Sequence, residues 1–266
     1  SDAKRPIIAV PMNRNEDNHY SVDYSTFEAA IVKHDVKVFI HCNPHNPVGH
    51  VWTEDEMNQL FSICKRHGVL IISDEIHQDL VAGPLPFTSA LTVSNGAYAN
   101  NIIAMSSLSK SFNMASLHHA EVIIPNEDLR HQYNACKSLM YHTDSDVIAE
   151  AAITAAYTHP EAEMWLTDLL TVVKENYEYM CTNLLQVMPE LRISPMDGTY
   201  LAWIDFGAYV KAEDIHDIFE NQCGIAPSFG EWFGGERYAT FVRLNLATSL
   251  KNIKIATNSM IQHIHP

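Results

Sequence analysis

The stretch VKVFIHCNPHNPVGHVWTEDEMNQLFSICKRHGVLIIS, residues 36–73, decides the fold. Its opening segment, Val36 to Cys42, reads as a buried strand, and VLIIS (69–73) is a second continuous apolar strand. Between them, TEDEMNQLFSICKRHG carries Met57, Leu60, Phe61 and Cys64 on one face at helical spacing. Thr53 and Glu56 form a capping box, in which each side chain satisfies an orphan amide of the first turn. Lys65, Arg66 and His67 suit the negative end of the helix dipole, and Gly68 suits the first position beyond it. The prolines and asparagines of NPHNPVG mark a loop. Strand, helix and strand, with the strands buried on both faces, predict a βαβ unit in a parallel sheet.

The alternation continues outward. NIIAM (101–105) and AEVIIP (120–125) are further apolar runs. Helical patterns follow at about 126–141 and 146–158. A long one at 160–187 places Trp165, Leu169, Val172, Val173, Tyr177, Met180 and Leu184 on one side. After Pro189 the strands shorten, as in TYLAWIDF (199–206) and ATFVRLNLA (239–247), with helices at about 212–222 and 249–264. The expectation is an α/β protein. Residues 1–170 form a large domain with a mostly parallel sheet and flanking helices in three layers. Residues 171–266 form a smaller α+β domain, and the change falls within the long helix.

Composition narrows the function classes. The chain has 266 residues, 47% of them hydrophobic, enough for a substantial core. Lys and Arg total 17 against 32 Asp and Glu, a net charge of -15, which argues against nucleic acid and anionic membrane surfaces as partners. No apolar run is long enough to cross a bilayer. The five cysteines (Cys42, Cys64, Cys136, Cys181 and Cys223) are odd in number and widely spaced, without CxxC, which suits reduced thiols in the cytoplasm. His41 and His45 are four apart, but prolines keep that segment from being a helix, so no metal site is expected. Neither GxGxxG nor a P-loop occurs.

In open α/β sheets, ligands bind outside the carboxyl ends of the strands. VFIHC is followed by Asn43, His45 and Asn46, VLIIS by Asp74, Glu75 and His77, and NIIAM by Ser106, Ser107, Ser109 and Lys110. An amide, a carboxylate, an imidazole, hydroxyls and an amine would then face one crevice. That set suits an anionic aromatic aldehyde such as pyridoxal 5′-phosphate. Lys110 is the amine. Asp74 could keep the ring nitrogen protonated, Asn46 and His77 could meet the ring oxygen, and Ser107 with Ser109 could meet the phosphate.

SSLSKSFNM (106–114) resembles the SxSKxFN motif around the cofactor lysine of class I/II aminotransferases, which are pyridoxal-phosphate enzymes of fold type I. NPHNPVG and SDEIHQDL resemble two further signatures of that family. NPHNPVGHVW, DEIHQDL, DGTYLAWIDF and VRLNLA, in this order, resemble its cystathionine β-lyase-like branch, the C–S lyases. The resemblance runs nearly the whole length of the chain. It implies that Lys110 is the Schiff-base lysine and proton shuttle, that Asp74, Asn46, His77 and Ser107 hold the cofactor, and that Arg243 clamps the substrate carboxylate. It also implies β-elimination on sulfur amino acids such as cystathionine or cysteine, with aminotransfer as the alternative at the same site, and a homodimer.

Two departures accompany the resemblance. Where aminotransferases carry a phosphate-binding arginine eight residues after the lysine, this chain has His118, which favours lyase over transaminase. The opening, RPIIAVPMNRNEDNHYSVDYSTFEAAI, resembles a point well inside the family's large domain. The expectation is a partial large domain with exposed apolar sheet surface. A non-catalytic remnant or binding module is the alternative of another class.

Overall fold

The computed structural model describes residues 5–140 and 146–264. The chain opens with a two-residue hairpin, β1 (Asn13–Arg14) and β2 (Tyr20–Ser21), and the helix α1 (Tyr24–His34). Next come β3 (Val38–Cys42), α2 (Glu54–Arg66), β4 (Leu70–Asp74), the short turn α3 (Val93–Gly96), β5 (Ile102–Ser106), the four-residue α4 (Leu108–Ser111) and β6 (Glu121–Ile123). Three helices follow, α5 (Glu127–Leu139), α6 (Val147–Thr158) and α7 (Pro160–Val187). The chain continues through β7 (Arg192–Ile193), β8 (Leu201–Asp205), β9 (Ser228–Phe229), α8 (Glu231–Gly234), β10 (Phe241–Asn245) and α9 (Leu250–Ile264). A six-residue π-helical stretch, Asp217–Gln222, occupies most of the helix expected at 212–222. The expected end of the 126–141 helix lies outside the described residues.

The first sheet has the order β3-β4-β5-β6, parallel throughout except for β6, which runs antiparallel to β5. The βαβ unit forms as the sequence dictates. Both halves of the Thr53–Glu56 capping box are present, and Met57, Leu60, Phe61 and Cys64 are buried. Gly68 takes φ +65°, the left-handed conformation that ends the helix. Helix α1 starts on Asp23, whose carboxylate accepts from the amides of Ser25 and Thr26. Its Phe27 and Ile31 join α2 and one sheet face in a core with Ile71, Ile102 and Ala104.

The other face of this sheet departs from the expectation of strands buried on both sides and agrees with the expected exposed apolar sheet surface. Ile40 is 70% exposed and Val38 43%, with Leu70, Ile72, Ile103 and Met105 only partly covered. A short all-apolar run fits a strand covered on one face or on two. Periodicity alone does not separate the cases.

The second sheet has the order β7-β8-β10-β9 and is antiparallel throughout. Its core gathers Ala202, Ile204, Phe206, Phe219, Val242, Leu244 and Met260 with Val173, Met180 and Leu184 of α7. Only the C-terminal half of α7 is buried there. Trp165, expected on the buried side, is 45% exposed and stacks on Phe112 with ring centroids 5.8 Å apart. Val172 is likewise exposed. Asn176, fully buried, donates from Nδ2 to the carbonyls of Leu246 (2.9 Å) and Thr248 (2.8 Å), tying α7 to the strand end beyond Arg243.

The two sheets meet where the functional loops lie. Tyr20, Val48, Trp203 and Phe241 form a small shared cluster, and Trp203 Nε1 donates to Tyr20 Oη at 3.2 Å. Arg14 reaches Asp205 at 2.9 Å. Gly198 N donates to Gly49 O at 2.9 Å. A Cβ on Gly198 would stand 2.6 Å from Pro44 Cβ, so this approach requires glycine.

His41 is completely buried among Phe39, Trp52 and Phe61, and neither ring nitrogen has a hydrogen-bond partner. Burial pushes its pKa down to about 3, with His45 and His50 adding to the effect, and burial pushes that of His45 to about 4. Below the ordinary histidine range, near 6.5, the unfolded chain binds protons that the native state refuses. Stability is therefore lost as pH falls from about 6.5 toward 4, and no such cost exists above that window. Each such group contributes a slope of about 1.4 kcal/mol per pH unit. His41→Phe is expected to flatten the dependence of urea midpoints on pH between about 7 and 5. An unchanged slope would contradict this assignment.

Candidate active site

The loop after β3 is built from its own polar atoms. Asn43, fully buried, donates from Nδ2 to Thr88 O (3.0 Å) and accepts from Trp52 N (3.2 Å). Trp52 Nε1 donates to Cys42 O at 2.8 Å. His45 N bonds His50 O, and Gly49, at φ +75°, closes the turn on His45 O. Asn46 is thereby held at the end of the first sheet facing the second, where its Oδ1 accepts from Arg243 Nη1 at 2.8 Å.

The end of β4 is anchored by Glu75. Its buried carboxylate accepts from Ser73 Oγ (2.9 Å), Ser89 Oγ (2.8 Å) and Ala90 N (2.8 Å), and burial holds its pKa above the usual carboxylate range. Turns that follow fix His77, which is 2% exposed. Its pKa is lowered to about 4, chiefly by burial and then by the charges of Lys110 and Arg243. The ring is therefore neutral at physiological pH, with one nitrogen a donor and the other an acceptor, and Nδ1 has no protein partner.

Lys110 lies on α4, directly after β5. Ser107 caps this turn by accepting from Ser109 N (3.1 Å) and donates to His119 O (2.6 Å). The next residue, Ser111, donates to Asp79 Oδ2 (2.7 Å), which also accepts from Tyr157 Oη of α6 (3.0 Å). The lysine-bearing turn is thus tied to the β4 loop and to α6. Arg243, on β10, donates to Asn46 and to Ser228 Oγ (2.9 Å), and its guanidinium lies 4.8 Å from the Phe233 ring centroid. Burial lowers its pKa, and among the described residues no carboxylate forms an ion pair with it.

One cavity of about 410 Å³ brings Asn46, His77, Lys110 and Arg243 together, with Tyr200, Ser228 and Asn245 also on its walls. Asp74, Ser107 and Ser109, also expected here, are not among the lining residues. Asp74 is half-buried one strand from Lys110's element, in register with Cys42 and Met105, and accepts from Ile76 N at 3.2 Å. The Ser107 hydroxyl is already engaged on both sides. His118 is exposed at the end of a short 3₁₀ turn. Tyr200 escaped sequence reading because an aromatic in TYLAWIDF looks like ordinary strand packing. The signal was the Asp-Gly-Thr turn before it.

The groups on this cavity match the chemistry of pyridoxal phosphate. The wall offers an amine for an aldehyde, an imidazole and an amide for a ring oxygen, and, for an anion, a guanidinium without an ion-pair partner among the described residues. No group of three or more potential metal ligands exists among the described residues.

Residues 3–260 match the family model described as Aminotransferase class I and II. The chain belongs to that family. It is 32% identical over 269 residues to Protein MalY of Escherichia coli (strain K12), covering 98% of this chain and 65% of that protein. It is 30% identical over 242 residues to cystathionine β-lyase PatB of Bacillus subtilis (strain 168), covering 90% and 61%. The crystal structure of cystalysin from Treponema denticola, which contains pyridoxal 5′-phosphate, superposes with a TM-score of 0.92 at 25% identity, covering 98% of this chain and 66% of that one. The chain therefore spans somewhat less than two-thirds of the length of the two curated relatives.

Proposed function

We propose that this chain carries the lysine, the cofactor-binding residues and the substrate clamp of a pyridoxal-phosphate-dependent C–S lyase acting on small sulfur amino acids. The observation that carries the reading is the single cavity shared by Lys110, His77, Asn46 and Arg243. Kinship with proteins named cystathionine β-lyase supports it.

When bound, pyridoxal phosphate supplies an electron sink for charge developing at the substrate Cα. The chain's residues supply the rest. Lys110 would hold the cofactor and, as a free amine, would take the Cα proton on Nζ. Neutral His77 and the Asn46 amide would serve the ring oxygen, and Asp74, half-buried on the strand beside Lys110's element and off the present cavity wall, would keep the ring nitrogen protonated if the bound ring extends to it. Ser109 is the hydroxyl left to reach a phosphate, since Ser107 is occupied. Arg243 fixes the α-carboxylate and so orients the Cα–H bond toward Lys110. Loss of a thiolate from Cβ and hydrolysis then give a keto acid, ammonia and a thiol. Aminotransfer would differ only in where Lys110 delivers that proton. Membership of the family favours that second reading, and His118 in place of an arginine favours the first.

The same proposal places the protein in the cytoplasm as a homodimer. Five free cysteines and the partly uncovered apolar face of the first sheet support this. No described helix is long and apolar enough to cross a membrane. The test is direct. The chain mixed with pyridoxal phosphate is expected to turn yellow, and borohydride is expected to bleach it. With cystathionine it is expected to release pyruvate and ammonia without an added keto acid. A colourless protein would sink the reading. Colour with product formed only when a keto acid is supplied would transfer the assignment to aminotransferase.

A further inference from the structure

Tyr200 shares the cavity wall with Arg243 and the two groups influence each other electrostatically, yet nothing in the chemistry above uses it. Its placement is costly to the backbone. Thr199, immediately before it, is fully buried at φ +69°, a conformation that β-branched residues rarely adopt. Three bonds hold the strained turn in place. Thr199 N donates to Leu80 O (2.7 Å), Thr199 Oγ1 accepts from Leu201 N (3.1 Å), and Leu246 N donates to Tyr200 O (2.9 Å). The result turns the Tyr200 ring edge-to-face on His77, with centroids 5.9 Å apart at 71°.

The phenol is left free. Among the described residues none is hydrogen-bonded to the Tyr200 hydroxyl, while two of the five Arg243 donors are taken by Asn46 and Ser228. Burial raises the Tyr200 pKa while Arg243 opposes this, and the net direction is upward. The hydroxyl therefore keeps its proton and can donate. A half-buried guanidinium with no ion-pair partner among the described residues and a neutral phenol on the same cavity wall offer one anion two kinds of donor.

We propose that Tyr200 is a substrate-binding residue that donates its Oη–H to the α-carboxylate received by Arg243, so that the carboxylate site is a guanidinium–phenol pair. This rests on the reading that Arg243 binds a carboxylate. The bland alternative is that the ring only packs on His77.

Tyr200→Phe separates the two, because it keeps the ring and removes only the hydroxyl. The probe is propionate, which carries the carboxylate but no amine, titrated calorimetrically into the chain without cofactor. The expected result is a Kd for propionate raised about tenfold in Tyr200→Phe, in line with loss of a hydrogen bond to a charged group. In the turnover assay KM should rise more than kcat falls, and colour with pyridoxal phosphate should be unchanged. An unaltered Kd and KM would overturn the proposal, as would failure of the wild-type chain to bind propionate at all. Loss of colour with an unaltered Kd would also overturn it, by moving Tyr200 to the cofactor. The outcomes separate from failure of the cofactor reading. A colourless chain whose propionate affinity still depends on Tyr200 would refute the cofactor and leave the anion site standing.

Discussion

Lys110→Ala is expected to abolish borohydride-fixable attachment of pyridoxal phosphate and to lower turnover by about a thousandfold or more. The size follows from the two tasks assigned to one amine, holding the cofactor and moving the Cα proton. Among the described residues Lys110 is the one lysine on the cavity wall, so none of them offers another amine to replace it. Its neighbours make the substitution clean. The turn is held by Ser107, by the Ser111–Asp79–Tyr157 bonds and by Phe112 packed against Trp165, none of which involves the lysine side chain. Thermal stability should therefore change little. Mass spectrometry of the borohydride-treated protein provides the check, and a label retained at another lysine would refute the assignment.

Arg243→Ala is expected to lower kcat/KM about a hundredfold or more, most of it through KM, as suits loss of a charge-assisted pair to the substrate. Arg243→Lys should recover only part of this, because an ammonium cannot present a planar fork. Arg243→Ala should not destabilise the fold in proportion. Burial already disfavours the Arg243 charge, and no carboxylate among the described residues compensates it. Removing a half-buried, uncompensated cation relieves desolvation, against which stands the loss of bonds to Asn46 and Ser228. A melting temperature unchanged or raised alongside a large loss of kcat/KM would mark Arg243 as a group kept for its ligand. A collapse of stability with an unaltered KM would make it a structural residue.

Much of the fold was legible because local signals agreed with one another. Thr53, Glu56 and Gly68 mark both ends of α2, and His159-Pro160 and Pro189 bracket α7, so those helices sit where the pattern puts them. The hairpin at 13–21 and helix α1 were not read. Two-residue strands have no period to detect, and the Asp23 cap precedes a weakly amphipathic segment with only Phe27 and Ile31 buried. The antiparallel partner β6 was legible as a strand but not in its direction, which is set by the backbone between Phe112 and Ala120.

For the site, strand-end reasoning gathered Asn46, His77 and Lys110, and kinship of motif added Arg243. The same reasoning does not show that Asp74, Ser107 and Ser109 lie off the wall of the present cavity, or that the Ser107 hydroxyl caps α4. Side-chain direction at a strand end depends on register with neighbours, here Cys42 and Met105, and the chain order does not state it.

Helix α7 has a mechanical meaning. Its 28 residues form one uninterrupted rod, about 42 Å long at 1.5 Å per residue. One end leans through Trp165 on Phe112, two residues from the cavity amine, and the other is sunk in the core that carries the guanidinium. One continuous helix thus runs from beside the cavity amine to the core behind the guanidinium. An opening of the cleft would load that helix and the Trp165–Phe112 stack, and would strain the Gly49–Gly198, Arg14–Asp205 and Trp203–Tyr20 contacts between the sheets. Substrate entry and the stiffness of one helix are therefore coupled quantities.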